Sequence, residues 1–351
     1  MRTDWQHLVT VAMALLLAAC APAIIPRVQD HGSGDQRIEL RQTAFFPTED
    51  RAAAAAALAT LLYTDGLQSV GPAQVAPLLG PKTAAPDLRA EFVGIAYSFD
   101  RLPFVLPKKI DAVFAEIRAG RPVMVLQLAR DWRYSVVIGV EPDSNRIILR
   151  SGKDGRVYQP LEDFLHLWKA ANRWAMVIGD GSKVPASASQ ADWVAAGEAA
   201  TLANFPKLAE RNAYAAIERW PGQVLPWVAL GNARYALKDW LGAQEAYLES
   251  LRLKPFNPVV RNNLALVLLE RRCVDLAEQQ VTEALAGETD PRLKAEYAYT
   301  QERISQHDGA SIYCPPPDDA DAPSEYEIAP LNPETPNANR VRRRASPRPS
   351  R

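Results

Sequence analysis

The chain has few cysteines and histidines, which often serve as nucleophiles, bases or metal ligands. Its 351 residues include only three cysteines and four histidines. These residues lack the spacing of a metal site, and no glycine-rich phosphate loop is present. We therefore expect no metal and no cofactor. The residues concerned are Cys20, Cys273, Cys314, His7, His31, His166 and His307.

An excess of charge of either sign is also absent. The chain has 40 basic and 41 acidic residues, which gives a formal net charge of −1. A balanced body does not attract polyanions, so nucleic acid is not expected as a partner. The length, with 48% hydrophobic residues, allows two hydrophobic cores. We therefore predict two domains plus tails.

The first 20 residues have the pattern of an export signal peptide. Arg2 precedes an apolar run at 8–17, which is too short to stay in a bilayer as a spanning helix. The Leu-Ala-Ala-Cys sequence that ends at Cys20 resembles the bacterial lipobox, which implies lipidation of this cysteine. With Ala21 next, the resemblance implies an outer-membrane lipoprotein on the periplasmic face. An ordinary signal that ends beside a spare cysteine is the alternative.

Residues 21–41 are predicted to be a linker, and residues 42–185 a domain of mixed structure. Helical patterns precede short β-rich runs, and Pro-Asp-Ser-Asn at 142–145 is typical of a turn between two strands. This order predicts an α+β domain with a helix ahead of an antiparallel sheet. The predicted helices are 51–63 and 110–119, and the predicted strands are 123–128, 134–140, 146–150 and 174–178.

The segment around Ala53 resembles a known enzyme family. Phe45-Phe46-Pro47 lies shortly before six alanines at 52–57 and the sequence Leu-Ala-Thr-Leu-Leu. This stretch resembles the papain-like cysteine peptidases of the bacteriocin-processing type, in a lipoprotein branch with tetratricopeptide repeats. That branch has Gln-Cys-Gly-Pro at the positions of 52–55, so its nucleophile falls on Ala53. A helix N-terminus stabilises a thiolate, and a methyl group cannot replace it.

The strand that should carry the catalytic base is altered as well. The sequence Arg-Tyr-Ser-Val-Val-Ile-Gly at 133–139 resembles the family's His-Tyr-Ala-Val-Val-x-Gly, with Arg133 at the histidine position. A guanidinium stays protonated and cannot act as a base. Ser151 aligns with the acidic residue that orients the histidine; alternatively, it is a hydroxyl that flanks a hairpin. Further matching segments are 119–127, 147–152 and 173–178, and the resemblance covers residues 43–290.

Two alternatives concern this predicted papain-like domain. An alanine-rich run is the strongest helix former, so chance similarity is another explanation of the match. His166 is the only histidine within 42–185. Its apolar helical surroundings predict a packed or half-exposed side chain, and a catalytic role is the alternative. The resemblance therefore predicts a degenerate peptidase site at Ala53 and Arg133.

The second half of the chain contains an internal repeat of 34 residues. The period and its small residues resemble the tetratricopeptide repeat, in which two antiparallel helices cross closely. We expect an all-α domain at 190–310, with units at 190–223, 224–257 and 258–291 and a capping helix at 292–306. A generic helical bundle is the alternative. The matching positions are Trp193/Trp227, Gly197/Gly231, Pro221/Pro255, Ala209/Ala243/Ala277 and Ala216/Ser250/Ala284.

Repeats of this kind present a concave face that binds extended peptides or helices. Asparagine amides on that face would hold a peptide backbone by paired hydrogen bonds, whereas solvated or helix-capping asparagines are the alternative. The resemblance therefore implies a peptide or protein partner. The candidate positions are Asn232, Tyr235 and Asn263, together with Leu225, Asn262 and Leu266.

The remaining cysteines and the C-terminal tail carry further predictions. In a helical array Cys273 would lie in a turn, and Cys314 would emerge near it, so they either form a disulfide or remain two free thiols. Residues 315–351 are rich in proline and end in a basic run from Arg340, which predicts a disordered tail. The basic end suits an anionic lipid surface or an acidic partner, or it is merely solvated.

Together these features lead to one main functional hypothesis. The chain is expected to be a membrane-anchored periplasmic lipoprotein with a degenerate cysteine-peptidase-like domain and tetratricopeptide repeats, acting in peptide or protein binding or assembly. A groove without cysteine and histidine would then hold a peptide without cutting it. An active hydrolase of the family that uses unidentified residues is one alternative. In another, the repeats act and the degenerate domain is a spacer.

Overall fold

The computed structural model describes residues 37–49, 52–80, 88–307 and 314. The chain forms two compact units, Met1–Lys238 and Asp239–Arg351. The predicted signal peptide with Cys20, most of the predicted linker and the predicted tail at 315–351 lie outside the described residues. Within the described residues, no helix has both the length and the apolar character needed to cross a membrane.

The first unit is built around a seven-stranded antiparallel sheet in the order β2-β7-β3-β4-β5-β6, with β1 paired to the end of β4. All four predicted strands are present, with ends that differ by at most two residues. The prediction missed β1, β2 and β6. The strands are β1 Ile38–Glu39, β2 Leu102–Val105, β3 Val123–Leu128, β4 Trp132–Glu141, β5 Arg146–Ser151, β6 Asp154–Pro160 and β7 Ala175–Gly179.

Five α-helices accompany the sheet, and they cover both of its faces. On one face, Leu126 of β3 and Val136 of β4 share a hydrophobic core with Leu58 and Leu62 of α1. The side chains that alternate with these along the strands, such as Val125 and Val137, are buried on the other face, where α4 and α5 pack. The helices are α1 Ala53–Thr64, α2 Pro72–Val75, α3 Arg89–Ser98, α4 Ile110–Arg118 and α5 Leu161–Ala170, with a 3₁₀ helix at Ala76–Leu79.

The sheet begins earlier in the chain than the predicted linker boundary at residue 41. Ile38 pairs with Val140, and Glu39 pairs with Gly139. A Cβ atom at position 139 would lie 2.3 Å from the carbonyl oxygen of Ile38, so only glycine permits this approach. A two-residue strand is too short to show an alternating pattern in the sequence, so the sequence pattern could not reveal β1.

Three helices of the helical run belong to the first unit: α6 Gln190–Leu202, α7 Pro206–Arg219 and α8 Val224–Ala236. The predicted domain boundary at 185–190 thus falls inside this unit. Trp193 donates its indole N–H to the carbonyl of Asn212 at 3.1 Å, and the Asn212 amide donates to the carbonyl of Trp193 at 2.8 Å. A Cβ at Gly197 would lie 2.2 Å from the Asn212 side chain. Glycine is therefore required where α6 crosses α7.

The second unit contains four helices: α9 Trp240–Leu253, α10 Pro258–Glu270, α11 Val274–Gly287 and α12 Pro291–Ser305. The 34-residue period is visible in the helix starts of both units, because residues 190, 224 and 258 begin helices and so do 206, 240 and 274. The turn residues Asn204, Lys238 and Arg272 recur at the same step with positive φ of 67°, 60° and 63°. The α+β part is therefore followed by a run of helices, as predicted.

A disulfide joins Cys273 and Cys314, whose Cα atoms are 5.6 Å apart. Cys273 lies in the turn between α10 and α11 and is fully buried. The bond closes a loop with a sequence separation of 41. In the chain-entropy model, such a loop destabilises the unfolded state by about 4 kcal/mol. The disulfide thus joins Cys314, which follows α12 in the chain, to the turn between α10 and α11.

A buried glutamate joins α4 to the segment that leads into α6. Glu116 has no exposed side-chain surface, and its Oε1 accepts hydrogen bonds at 2.7 Å from both the backbone N–H and the hydroxyl of Ser187. Its Oε2 accepts from Arg121 at 3.1 Å, and Arg121 also donates to the carbonyl of Val184. The carboxylate is therefore satisfied on both oxygens although it is fully buried.

We expect Glu116→Ala to lower the free energy of unfolding by about 2–4 kcal/mol, because it leaves the Ser187 donors and the Arg121 charge without their acceptor. Urea denaturation followed by circular dichroism measures this loss. Glu218→Ala, at an exposed position of α7, should change stability by less than about 0.5 kcal/mol. Equal losses in the two variants would contradict the role assigned to Glu116.

Glu39 fixes β1 through ion pairs. Its side chain is 3% exposed and accepts from Arg156 at 2.7 Å and from Arg37 at 2.8 Å. Burial raises the pKa of the Glu39 carboxyl, but the hydrogen bonds and charges of Arg156 and Arg37 outweigh burial and hold this pKa below its ordinary value of 4.5. The carboxylate therefore contributes stability above pH 4.5, and this contribution is lost as the pH falls through the lowered pKa.

For Glu39→Gln we expect a lower urea midpoint than that of the wild type at pH 7, and a smaller difference between the two proteins at pH 3, because the contribution of a carboxylate with a lowered pKa decreases as the pH falls below 4.5. Comparing the same two proteins at both pH values cancels the titration of all other carboxyls. A wild-type advantage that is equal at pH 7 and pH 3 would show that the Glu39 ion pairs do not stabilise β1.

Candidate functional site

Ala53, which the sequence resemblance aligns with a peptidase nucleophile, is the first residue of α1. It is only 4% exposed, and the next four alanines are buried too. The N-cap residue Ala52 makes no side-chain capping bond, and the first turn holds no acidic residue. The positive end of the helix dipole therefore lies at Ala53 without a charged side chain of the helix to balance it. A thiolate would be stabilised there, whereas the methyl group of alanine has neither a charge nor a nucleophilic atom.

Ala53 and Ser151 line the same small cavity, whose volume is about 20 Å³. That volume holds about one water molecule. The cavity beside Ala53 is therefore smaller than a peptide side chain. The residues that line the cavity are Phe45, Phe46, Thr48, Ala53, Ala56, Ala57, Thr60, Tyr134, Val136, Arg150, Ser151 and Gly152.

Residues 41–48, which we call the N-terminal strap, contribute three of these lining residues. The guanidinium of Arg150 on β5 donates to the carbonyl oxygen of Thr43 at 2.8 Å and to that of Arg41 at 3.3 Å. The backbone N–H of Thr48 donates to the carbonyl of Gly152 at 3.0 Å. These bonds fix the strap to β5 and to the loop that follows it.

Aromatic contacts complete the attachment of the N-terminal strap. The Phe45 ring lies 5.8 Å from the guanidinium carbon of Arg150, which is a cation–π distance. Phe46 makes an edge contact with Tyr63 of α1, with ring centroids 5.7 Å apart. Burial lowers the pKa of Arg150, and the charge of Glu39 opposes this effect. Arg150 remains a cation at any ordinary pH and holds the strap throughout.

Arg133 does not line the cavity; it is exposed, and the next residue, Tyr134, lines the cavity instead. Successive side chains of a strand point to opposite faces, so only one of the two can face α1. Tyr134 packs in an aromatic group with Phe92 at 5.0 Å and Trp174 at 5.8 Å. The sequence prediction missed Tyr134, although the alternation along β4 already separates it from Arg133.

Ser151 has a hydroxyl partner rather than a histidine. Its Oγ lies 2.8 Å from the Oγ of Ser135 on β4, and either oxygen is a possible donor. Ser151 is the last residue of β5, directly before the turn to β6. The alternative from the sequence, a hydroxyl that flanks a hairpin, describes this geometry.

The histidines and cysteines of the described residues lie elsewhere. His166 is exposed on α5, and His307 follows α12. Cys273 and Cys314 are joined to each other. Within the described part of the chain, no three His, Cys, Asp or Glu side chains come together as metal ligands would.

The candidate peptide-binding residues are distributed over both units. Asn232 and Tyr235 lie on α8 of the first unit, and their spacing of three puts them on one side of that helix. Asn263 lies on α10 of the second unit, and all three are half-buried. Asn262 is 1% exposed, so the expectation that it lies on an open binding face is wrong.

The cavity beside Ala53 offers little chemistry. Of the side chains that line it, only those of Tyr134 and Arg150 are titratable. A phenol is neutral and a guanidinium is charged near pH 7, so neither accepts a proton there as a general base does. The hydroxyls of Thr48, Thr60 and Ser151 line the cavity without an imidazole or carboxylate beside them to activate them.

Comparisons with known proteins give distant structural likenesses. No family model matches the sequence, and no curated protein matches it. The structure is similar to a putative C39-like peptidase from Bacillus anthracis, with 15% identity, a TM-score of 0.35, and coverage of 40% of this chain and 96% of that one. It is also similar to the type III secretion translocator chaperone SycD of Yersinia enterocolitica, with 16% identity, a TM-score of 0.31, and coverage of 32% and 81%.

Proposed function

We propose that this chain is a non-catalytic, lipid-anchored periplasmic protein that binds a peptide or protein partner through tetratricopeptide repeats. One observation carries the non-catalytic part of the proposal. The positions that would hold a nucleophile and its orienting acid, Ala53 and Ser151, line a cavity of about 20 Å³. Among the described residues, the side chains that line that cavity include no thiol, imidazole or carboxylate.

The geometry of the strap supports a structural role for the cysteine-peptidase-like domain. Phe45 and Phe46 occupy space beside Ala53, and Arg150 binds the carbonyls of the strap. A peptide cannot reach Ala53 unless these contacts break. In the proposed protein, this domain is therefore a packed body that carries α6 to α8, and partner binding is assigned to the helices.

Two features of the helices support the repeat assignment. Helix starts and left-handed turn residues recur every 34 residues, which is the tetratricopeptide period. The two series of small residues, which begin at Ala209 and Ala216, are buried at every member. Asn232 and Tyr235 on α8 remain proposed peptide contacts of the first unit, and Asn263 on α10 remains a proposed contact of the second unit.

Assays of turnover test the non-catalytic proposal. The chain from residue 21 to residue 351 is incubated with casein and with a peptide library, and separately with a thiol-reactive peptide-like inhibitor. We expect no cleavage and no covalent labelling, because the nucleophile position is an alanine and Cys273 is bonded to Cys314. Cleavage that persists when both cysteines are replaced by serine would overturn the proposal and favour a hydrolase that uses other residues.

A cysteine placed at the degenerate position tests whether the site is closed. We expect Ala53→Cys to react with a soluble disulfide reagent at least about 100-fold more slowly than Leu202→Cys, because local opening must precede reaction at a buried thiol. Ala53 is 4% exposed and Leu202 is 90% exposed. In urea both thiols should react at similar rates, which controls for intrinsic reactivity.

Adding Arg133→His to Ala53→Cys should not accelerate labelling, because residue 133 does not line the cavity. Fast labelling of the double variant near pH 7 would show that an activated nucleophile can be rebuilt at this site. That result would contradict the placement of residue 133 away from the cavity.

The proposed lipid anchor is tested by metabolic labelling in a bacterial host. The full chain should incorporate a fatty-acid analogue and sediment with the outer membrane, because several acyl chains on one cysteine form a stable anchor. Cys20→Ala should abolish the label and release the protein from the membrane fraction. Label that persists in Cys20→Ala would contradict lipidation at this residue.

A further inference from the structure

The second unit has an open depression of about 520 Å³ that we call the basic pocket. The turn after α10 forms one side of it, and the end of α12 forms the other. The lining residues are Leu269, Glu270, Arg272, Arg303, Gln306 and His307. None of the features proposed above for catalysis, anchoring or peptide binding involves this pocket.

Basic side chains outnumber carboxylates among the described residues that line the basic pocket. Arg272, Arg303 and His307 share it with a single carboxylate, Glu270. Arg303 and Glu270 are 3.8 Å apart, and both are substantially exposed, so this pair neutralises the pocket only weakly. Among the described residues, the buried Nε2 of His307 has no hydrogen-bond partner. The pocket therefore suits a ligand that carries several carboxylates.

The disulfide brings a specific part of the chain to this pocket. Cys273 directly follows Arg272 and is bonded to Cys314, with 5.6 Å between their Cα atoms. Adjacent Cα atoms are about 3.8 Å apart, so the Cα of Cys314 lies within about 10 Å of that of Arg272. The chain that continues from Cys314 therefore starts at the rim of the basic pocket.

The sequence after Cys314 has the charge that complements the pocket. Three prolines at 315–317 precede Asp-Asp-Ala-Asp at 318–321, which we call the acidic segment. Three prolines extend the chain by only about 9 Å, so the acidic segment begins within reach of the pocket. No lysine or arginine occurs between Cys314 and Arg340. A tether of this length keeps the local concentration of the acidic segment in the millimolar range.

We propose that the acidic segment occupies the basic pocket, with its carboxylates on Arg272, Arg303 and His307. The disulfide supplies the tether, and the complementary charges supply the contact. The root of the tail is then held at the end of α12, and the arginine-rich run from Arg340 to Arg351 extends from a fixed point. This interaction is independent of the proposed function, because it requires neither lipidation nor a partner.

Two variants with the same change in charge test the proposal in the chain from residue 21 to residue 351. One replaces Asp318, Asp319 and Asp321 by asparagine. The matched control replaces the more distant Glu325, Glu327 and Glu334 by glutamine. Hydrogen–deuterium exchange of peptides covering 266–272 and 300–307 is measured at low salt, together with the nuclear magnetic resonance signals of the His307 ring.

The asparagine variant is expected to exchange roughly threefold faster in both peptides, the size of effect that surface ion pairs produce, and to shift the His307 signals. The control should behave as the wild type. At 0.5 M salt, where charges are screened beyond a few ångströms, the wild type should approach the asparagine variant.

Three results would overturn the proposal. The wild type and the asparagine variant would have identical exchange and identical His307 signals. Alternatively, the two variants would change equally, which would indicate a general effect of net charge. Finally, the pocket signals would be the same in the wild type and the asparagine variant but would shift when a separate acidic peptide is added, which would assign the pocket to an external partner.

Discussion

The attachment of the N-terminal strap to the first unit depends on the guanidinium of Arg150. From the end of β5 it binds the carbonyls of Arg41 and Thr43 in the N-terminal strap and lies against the Phe45 ring. Carbonyl oxygens cannot pair with one another, and the Arg150 guanidinium supplies N–H donors to two of them. With the strap in place, the first turn of α1 is covered, and the alanines of that turn can pack as an ordinary core.

The sequence was informative where the pattern is local and long. The apolar run at β3 and the 34-residue period gave element positions to within about two residues, the usual uncertainty of helix and strand ends. The missed strands have weak patterns: β1 has two residues, β2 contains Pro103, and β6 is largely polar. Whether Arg133 or Tyr134 faces α1 depends on tertiary packing, because alternation fixes which residues share a face but not which face is covered. The sequence also could not show how small the cavity beside Ala53 is, because its size depends on tertiary packing.

Along the helical run, the backbone conformation of the turns recurs every 34 residues, whereas the residue types at these positions differ. Asparagine, lysine and arginine occupy the equivalent left-handed turn positions 204, 238 and 272, where glycine is the usual choice. Each of these residues adopts an unfavourable conformation at a modest local cost. The same turn conformation is thus adopted by three different residue types.

The disulfide between Cys273 and Cys314 also sets an order of events during biogenesis. Its two sulfurs are separated by 41 positions, and the second one comes after α12 has been made. The covalent closure of the second unit is therefore among the last steps of its maturation. Formation of this bond requires an oxidising compartment, because cytosolic reductants keep such thiols reduced. A chain kept under reducing conditions would lack the covalent bond between Cys273 and Cys314.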